Sequence, residues 1–265
     1  MEAPPLHAES IAPSPEATGR EHVVLLHGFT QSARCWGPFA LDLARRFDVL
    51  ALDLPGHGRS DEVRADLDEM AALVAATGGP ATYVGYSMGG RAALHLALDH
   101  PEVVERLVLI GATAGIDDAD ERARRRASDE VLAEHLETIG VERFVDEWLA
   151  QPLFAGLHPE AAEVDERRRN GTAGLASSLR LAGTGTQRPR WSDLDAIDVP
   201  VLVLAGVDDA KFSTLASRLA RAIGPNATVA LVPRAGHSAH LENPADTASI
   251  VERWMRAHPV EGHRT

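Results

Sequence analysis

Short runs of β-branched and apolar residues recur along the chain, each ended by glycine, proline or a polar turn, and between them lie longer stretches with apolar residues at helical spacing. His22-Val23-Val24-Leu25-Leu26 is the first clear run, closed by His27-Gly28, and Val49-Leu50-Ala51-Leu52, Ala81-Thr82-Tyr83-Val84 and Leu107-Val108-Leu109-Ile110 repeat it. Unbroken apolar runs of this length suit strands buried on both faces of a sheet. The stretches between them, residues 36–46, 67–77 and 89–99, read as helices, the last stopped by His100-Pro101. Strand and helix in succession require crossover connections, so a mostly parallel, twisted sheet flanked by helices is expected. A short edge strand is expected at residues 6–11, closed by a turn at Ala12-Pro13-Ser14-Pro15, since proline cannot continue a ladder.

After Ile110 the alternation stops. Residues 113–191 are rich in Arg and Glu at helical spacing and show no convincing strand. The alternation resumes with Val201-Leu202-Val203-Leu204-Ala205, a helix over 213–223, a strand over 228–232 and a last helix over 244–258. The expected organisation is an α/β core of residues 1–112 and 192–265 interrupted by a helical cap of residues 113–191. No internal repeat or low-complexity tract is present.

Composition narrows the function classes. At 265 residues the chain is long enough for one α/β domain with an inserted lid, and 45% hydrophobic with 25% charged residues describes a folded protein. A net charge of −13 excludes a nucleic-acid surface, which needs surplus Lys and Arg to displace counterions, and repels anions at long range. An anionic ligand must therefore be caught by locally clustered arginines. Lys211 is the only lysine, a bias that a GC-rich genome explains. Cys35, the only cysteine, cannot form an intrachain disulfide and reads as a small buried hydrophobe. The first residues lack a basic segment followed by an apolar one, and no apolar run reaches the roughly 18 residues of a membrane span, so a cytoplasmic location is expected.

The candidate chemistry centres on Gly85-Tyr86-Ser87-Met88-Gly89, a Gly-x-Ser-x-Gly pentapeptide directly after an expected strand and directly before an expected helix. An ordinary glycine-rich turn is the plain alternative for the bare pentapeptide, but the surrounding alternation favours a nucleophile elbow. A serine hydroxyl needs an imidazole within hydrogen-bond reach and a carboxylate to fix the imidazole tautomer. Asp209 follows the strand ending at Ala205-Gly206, and His237 follows the strand ending at Val232, in the order Ser, acid, His that this arrangement uses. Asp208 is the adjacent rival for the acid, because strand-end aspartates often only cap the next turn. His240 is the rival for the base. The loop His27-Gly28-Phe29 can aim the Phe29 N–H at the same point as the Met88 N–H, forming an oxyanion hole. His57 reads as structural, while His95 and Trp254 read as packed or solvent-facing. No group of His and carboxylates has metal-ligand spacing, so neither metal nor cofactor is expected.

His27-Gly28-Phe29, Asp53-Leu54-Pro55-Gly56-His57-Gly58-Arg59-Ser60, the elbow with Gly90-Arg91, and Gly236-His237 together resemble the α/β-hydrolase superfamily. A narrower resemblance rests on Tyr86-Ser87-Met88-Gly89-Gly90-Arg91, Trp148-Leu149-Ala150-Gln151-Pro152-Leu153-Phe154, Gly174-Leu175-Ala176-Ser177-Ser178-Leu179-Arg180 with Gly183-Thr184-Gly185, and Asp209-Ala210-Lys211-Phe212. These segments are similar to the 2-succinyl-6-hydroxy-2,4-cyclohexadiene-1-carboxylate (SHCHC) synthases of menaquinone biosynthesis, from about His22 to Trp254. That family eliminates pyruvate from 2-succinyl-5-enolpyruvyl-6-hydroxy-3-cyclohexene-1-carboxylate, its Ser-His-Asp set serving as a base. The resemblance implies a small polycarboxylate substrate held by arginines. Arg91 lies one turn past Ser87, and the matching cap positions fall within Arg124-Arg125-Arg126 and Arg167-Arg168-Arg169, from which Arg125 and Arg168 are selected. Tyr86 and Trp148 are expected to line the pocket, against the alternative of simple packing. Val207-Asp208-Asp209 departs from the Glu-Leu-Asp-like run common before the acid.

Arg/Glu runs on helices are usually solvated faces, which is the plain alternative for every cap arginine. Fold and triad alone do not fix a reaction. A carboxylesterase or C–C bond hydrolase working through a serine acyl-enzyme, and a ligand-binding receptor that keeps the fold, are the competing readings.

Overall fold

The computed structural model describes residues 5–11 and 21–260; the turn expected at Ala12 to Pro15 lies outside them. One seven-stranded sheet contains β1 (Ala8–Ile11), β2 (His22–Leu26), β3 (Asp48–Leu52), β4 (Ala81–Tyr86), β5 (Val104–Ile110), β6 (Val201–Gly206) and β7 (Ala227–Val232) in the order β1-β3-β2-β4-β5-β6-β7. β1 pairs antiparallel with β3 at the edge, and all other pairs are parallel. The helices are α1 (Gly37–Ala44), α2 (Leu67–Gly78), α3 (Met88–Asp99), α4 (Ala119–Ile139), α5 (Val141–Leu149), α6 (Val164–Arg167), α7 (Thr172–Ala182), α8 (Ala210–Ile223), α9 (Ala239–Glu242) and α10 (Pro244–Ala257). None of them is long and apolar enough to cross a membrane.

The period-two alternation of strand side chains divides the apolar runs between two cores. Val24, Leu26, Leu107, Leu109, Val201 and Val203 face one layer with Met70 of α2, Leu94 of α3 and Leu219 of α8. Val23, Leu25, Val108, Ile110, Leu202 and Leu204 face the other with Phe39 of α1 and Val251 and Trp254 of α10. Because both faces are covered, β4 and β6 are buried at every position, as their unbroken apolar sequences require.

Two element starts lie three residues before the sequence expectation, each for a polar reason. β5 begins at Val104 because Arg106, though charged, is buried inside the strand, donating to Thr82 Oγ1, to the carbonyls of Met255 and His258 and to Glu21. α8 begins at Ala210 because the Asp209 carboxylate caps it, accepting the Phe212 N–H at 3.0 Å.

Between β5 and β6 the described structure is helical. α4 and α7 pack against each other, and Ala133, Leu136, Phe144, Leu175, Ala176 and Leu179 form a small apolar cluster separate from the two sheet cores. This segment arches from the carboxyl end of β5 and brings Trp148 of α5 against Phe29, with ring centroids 5.1 Å apart.

Candidate active site

Ser87 joins β4 to α3 with φ 51° and ψ −106°, a conformation a serine adopts only where its surroundings enforce it. Close backbone approach does so here. A Cβ on Gly85 would lie 2.4 Å from the Gly89 carbonyl oxygen, and a Cβ on Gly89 would lie 1.9 Å from the Leu26 oxygen. Only glycines let α3 start so near the ends of β2 and β4, and this holds Ser87 at the carboxyl edge of the sheet.

Two later strands bring the partners. His237, after β7, accepts the Ser87 hydroxyl at its Nε2, 3.2 Å away, and donates its Nδ1–H to Asp209 Oδ2 at 3.1 Å. The Asp209 carboxylate feels opposing influences. Burial raises its pKa, but the hydrogen bonds from His237 and the Phe212 N–H, with the nearby charges of His237 and Lys211, leave it below the usual carboxylate range. Asp208 is exposed and its backbone N–H is spent on the Ala235 carbonyl, so the geometry separates the two aspartates. The His237 ring lies against Phe212, centroids 4.4 Å apart. Its turn is clamped by Glu242, whose carboxylate accepts the N–H groups of Gly236 and Ser238 at 2.7 and 2.9 Å. His240 is fully buried against Tyr86 and Trp36, and neither of its nitrogens meets a protein partner among the described residues.

The loop carrying Phe29 is held by a chain of hydrogen bonds that also fixes two histidine tautomers. His27 Nε2 accepts the Leu54 N–H at 3.0 Å, so its Nδ1–H donates to the Gly28 carbonyl. His57 Nε2 accepts the Thr30 N–H at 3.3 Å, and its Nδ1–H donates to the Pro55 carbonyl. Asn170 donates to the Thr30 carbonyl and Arg167 to the Thr30 hydroxyl, at 2.7 and 2.6 Å. Among the described residues neither the Phe29 nor the Met88 N–H has a protein acceptor, and Met88 is the first residue of α3, where helix N–H groups are unpaired.

Burial pushes His27 down to about 4, and His57 and His240 down to about 3. Unfolded histidines titrate near 6.5. Between about pH 6.5 and pH 4 the unfolded chain therefore binds more protons, so stability is full above about pH 6.5 and lost as the pH falls, by about 1.4 kcal/mol per pH unit for each histidine. Urea midpoints are expected to hold steady above about pH 7 and drop steeply below about pH 6.5; a midpoint unchanged at about pH 5 refutes this assignment.

Above Ser87 lies a cavity of about 510 Å³ lined by Ser87, His237, Phe29, Met88, Trp148 and Leu153, with the cations Arg91, Arg125, Lys211 and Arg218 on its walls. This is a volume suited to a small organic ligand. Arg91 is 8% exposed, and among the described residues its side chain's one hydrogen bond goes to the Ala182 carbonyl at 2.8 Å. Burial, then the like charge of Arg125, push its guanidinium down to about 10, so it stays cationic at neutral pH. Arg125 pairs with Asp129 at 2.7 Å. The Trp148 indole N–H is buried without a described acceptor.

Residues 23–250 match the Alpha/beta hydrolase family. An Escherichia coli O1:K1 / APEC protein named 2-succinyl-6-hydroxy-2,4-cyclohexadiene-1-carboxylate synthase is 33% identical over 264 residues, spanning 95% of this chain and 99% of that protein. The chain belongs to the SHCHC synthase family of α/β-hydrolases. The solved structure of MenH from S. aureus superposes with a TM-score of 0.86 at 29% identity, covering 95% of this chain and 98% of that one. A thermophilic esterase from Thermogutta terrifontis, solved with malate bound, superposes at 0.79 with 25% identity over 96% of this chain and 94% of its own.

In this SHCHC synthase family member, Arg91, Arg125 and Trp148 face the cavity and two expected lining residues do not. Tyr86 lies beneath it, 3% exposed, its hydroxyl 2.7 Å from Ser238 Oγ and its ring against His237 and His240. As the last residue of β4 it follows Val84 into the core on the α1 and α10 side. Arg168 points outward to Asp146 at 2.6 Å and Asp165, and it is the adjacent Arg167 that turns inward. Sequence reasoning also passed over Lys211, Arg218, Glu242 and Asp129. Glu242, five residues after His237, has no sequence signal beyond that spacing. Among the described residues one group of metal-ligating type gathers, Asp68, His95 and Asp99. Its hydrogen bonds account for it, since His95 Nδ1 meets Asp68 at 2.6 Å and Arg190 takes both oxygens of Asp99 at 2.8 Å.

Proposed function

We propose that this protein eliminates pyruvate from 2-succinyl-5-enolpyruvyl-6-hydroxy-3-cyclohexene-1-carboxylate to give SHCHC, in the cytoplasm, with residues 113–191 as a cap over a core of residues 1–112 and 192–265. The observation that carries this reading is Arg91. Among the described residues this buried guanidinium makes no ion pair, Asp129 acting on it only through space, and a carboxylate-bearing substrate supplies a direct counter-charge at the cavity wall. An acyl-transfer site for neutral esters has no use for it.

In the proposed mechanism Ser87 Oγ takes the ring proton beside the succinyl ketone while its own proton passes to His237 Nε2. Asp209 holds the His237 tautomer and stabilises the imidazolium. The C–H electron pair moves onto the ketone oxygen, held by the Phe29 and Met88 N–H groups at the positive end of α3. Collapse of this enolate restores the ketone, forms a ring double bond at C2–C3, shifts the existing C3–C4 double bond to C4–C5 and breaks the C5–O bond to the enolpyruvyl group. The proton on His237 goes to the departing fragment, which ketonises to pyruvate. No water is consumed and no covalent enzyme intermediate forms. Arg91 and Arg125 hold substrate carboxylates, and Trp148 packs on the ring.

The test is pyruvate release from substrate generated in situ, followed with a pyruvate-reducing coupling enzyme, beside hydrolysis of p-nitrophenyl esters. Pyruvate release with negligible ester turnover is the expected result. Efficient ester hydrolysis without pyruvate overturns the lyase reading in favour of a serine hydrolase.

A further inference from the structure

We infer that Lys211 anchors a substrate carboxylate at the α8 end of the cavity, an inference that rests on the proposed lyase reaction. Four cations line the cavity, and among the described residues three of them already have partners. Arg91 donates to the Ala182 carbonyl, Arg125 pairs with Asp129, and Arg218 pairs with Asp117 and lies 3.6 Å over the Trp191 ring. The Lys211 side chain makes no hydrogen bond or ion pair with any described residue; its ammonium lies 5.6 Å from the ring of its neighbour Phe212 and acts on Asp209 only through space.

Its through-space effect on Asp209, the last of the causes acting on that carboxylate, is a weak reason for a cation at this position. Lys211 is the second residue of α8, where the positive end of the helix repels a cation and favours Asp or Glu. The side chain is exposed, so it packs nothing that an apolar or acidic residue would not serve as well. What the position does provide is proximity to the chemistry. Asp209, two residues earlier, holds His237, and Phe212, the next residue, packs against the His237 ring. Lys211 therefore lines the same cavity as the proton-transferring His237.

The substrate's chemistry leaves a place for it. Three carboxylates, on the ring, the succinyl chain and the enolpyruvyl group, project in different directions. Arg125 lies close enough for its charge to act on Arg91, and the two form one cationic pole at the α3 and α4 side. A ligand whose carboxylates spread across the cavity needs a second cationic contact on another element of the lining, and α8 is one. Lys211 offers a point charge on a flexible stem there, suited to a single charge-assisted contact rather than a bidentate grip.

The experiment compares wild type, Lys211→Met and Lys211→Arg by steady-state pyruvate release and by calorimetric binding of SHCHC, with thermal melting as the folding control. Lys211→Met is expected to raise both KM and the SHCHC Kd by about 10- to 100-fold, with kcat changed less, while Lys211→Arg recovers most of the loss. Melting is expected to be unchanged or slightly higher, since a cation leaves a helix start. KM and Kd within about twofold of a wild type that releases pyruvate overturn the anchor. So does a kcat loss with unchanged Kd and a shifted acid limb of the kcat profile, which assigns Lys211 to the support of Asp209 instead. A wild type that neither releases pyruvate nor binds SHCHC removes the lyase reading itself, and the anchor's ligand with it.

Discussion

Replacing Ser87 with alanine is expected to lower kcat for pyruvate release by about three orders of magnitude or more while leaving SHCHC binding within a few-fold of wild type. The reasoning separates two sets of atoms. The hydroxyl is the group that meets His237 Nε2 at 3.2 Å, and removing it cuts the path from the ring proton to the imidazole. The groups proposed to hold the ligand, Arg91, Arg125 and the loop of Phe29, are untouched by the change. Single-turnover pyruvate release and calorimetry with SHCHC measure the two halves independently. A variant that keeps more than about a tenth of the wild-type rate would place the base elsewhere, with His237 the next group in reach.

Gly89→Ala is expected to cost about 3 kcal/mol or more of stability, seen as a melting temperature lowered by roughly 10 °C or as failure to accumulate folded protein. A Cβ there meets the Leu26 carbonyl oxygen at 1.9 Å, its carbon at 2.3 Å and the His27 oxygen at 2.6 Å. All three are backbone atoms at the end of β2, so no side-chain rotation relieves the overlap. The same residue donates its N–H to the His27 carbonyl at 3.0 Å, so moving α3 away also loosens the loop that carries Phe29. Circular-dichroism melting and urea titration give the number; a loss under about 1 kcal/mol means α3 and β2 can separate freely.

Much of this fold is legible because a parallel sheet covered on both faces leaves a plain mark in sequence. His22–Leu26 is apolar at four consecutive positions because neither side meets water, and the same holds for β6. β5 was legible only from Leu107 onward because Arg106, whose charge is answered by distant carbonyls and Glu21, looks like a solvent residue until those partners are in place. At the site, Ser87, Asp209 and His237 could be read because each follows a strand end, where chain order gives position.

Side-chain direction was harder to read. Tyr86 neighbours Ser87 in sequence, yet strand alternation sends it below the sheet edge. Each step along a helix turns a side chain by about 100°, so only one of three consecutive arginines can point inward. α6 spans only Val164–Arg167, too short for an apolar stripe to mark which one. α4 is longer but has only Asp129, Ala133 and Leu136 buried, so its phase too is faintly written. Lys211 lies in the Asp209-Ala210-Lys211-Phe212 segment of the resemblance, but nothing in that segment marks its side chain as facing the cavity.

The helices between β5 and β6 enclose the cavity with Arg125, Trp148, Leu153 and Leu179, while Ser87, Asp209 and His237 all come from the sheet and its strand-end turns. In the proposed enzyme Arg91 and Lys211 sit with the proton-transfer residues on the core, while the rest of the ligand-facing wall, Arg125 and Trp148 included, is written on a separate stretch of chain. Mutations accumulating in residues 113–191 can retune ligand choice while the proton-transfer apparatus stays under its own selection. This gives an ancestral scaffold a short route from one reaction to another, and makes the arch the natural segment to exchange when chimeras are built between a lyase and an esterase.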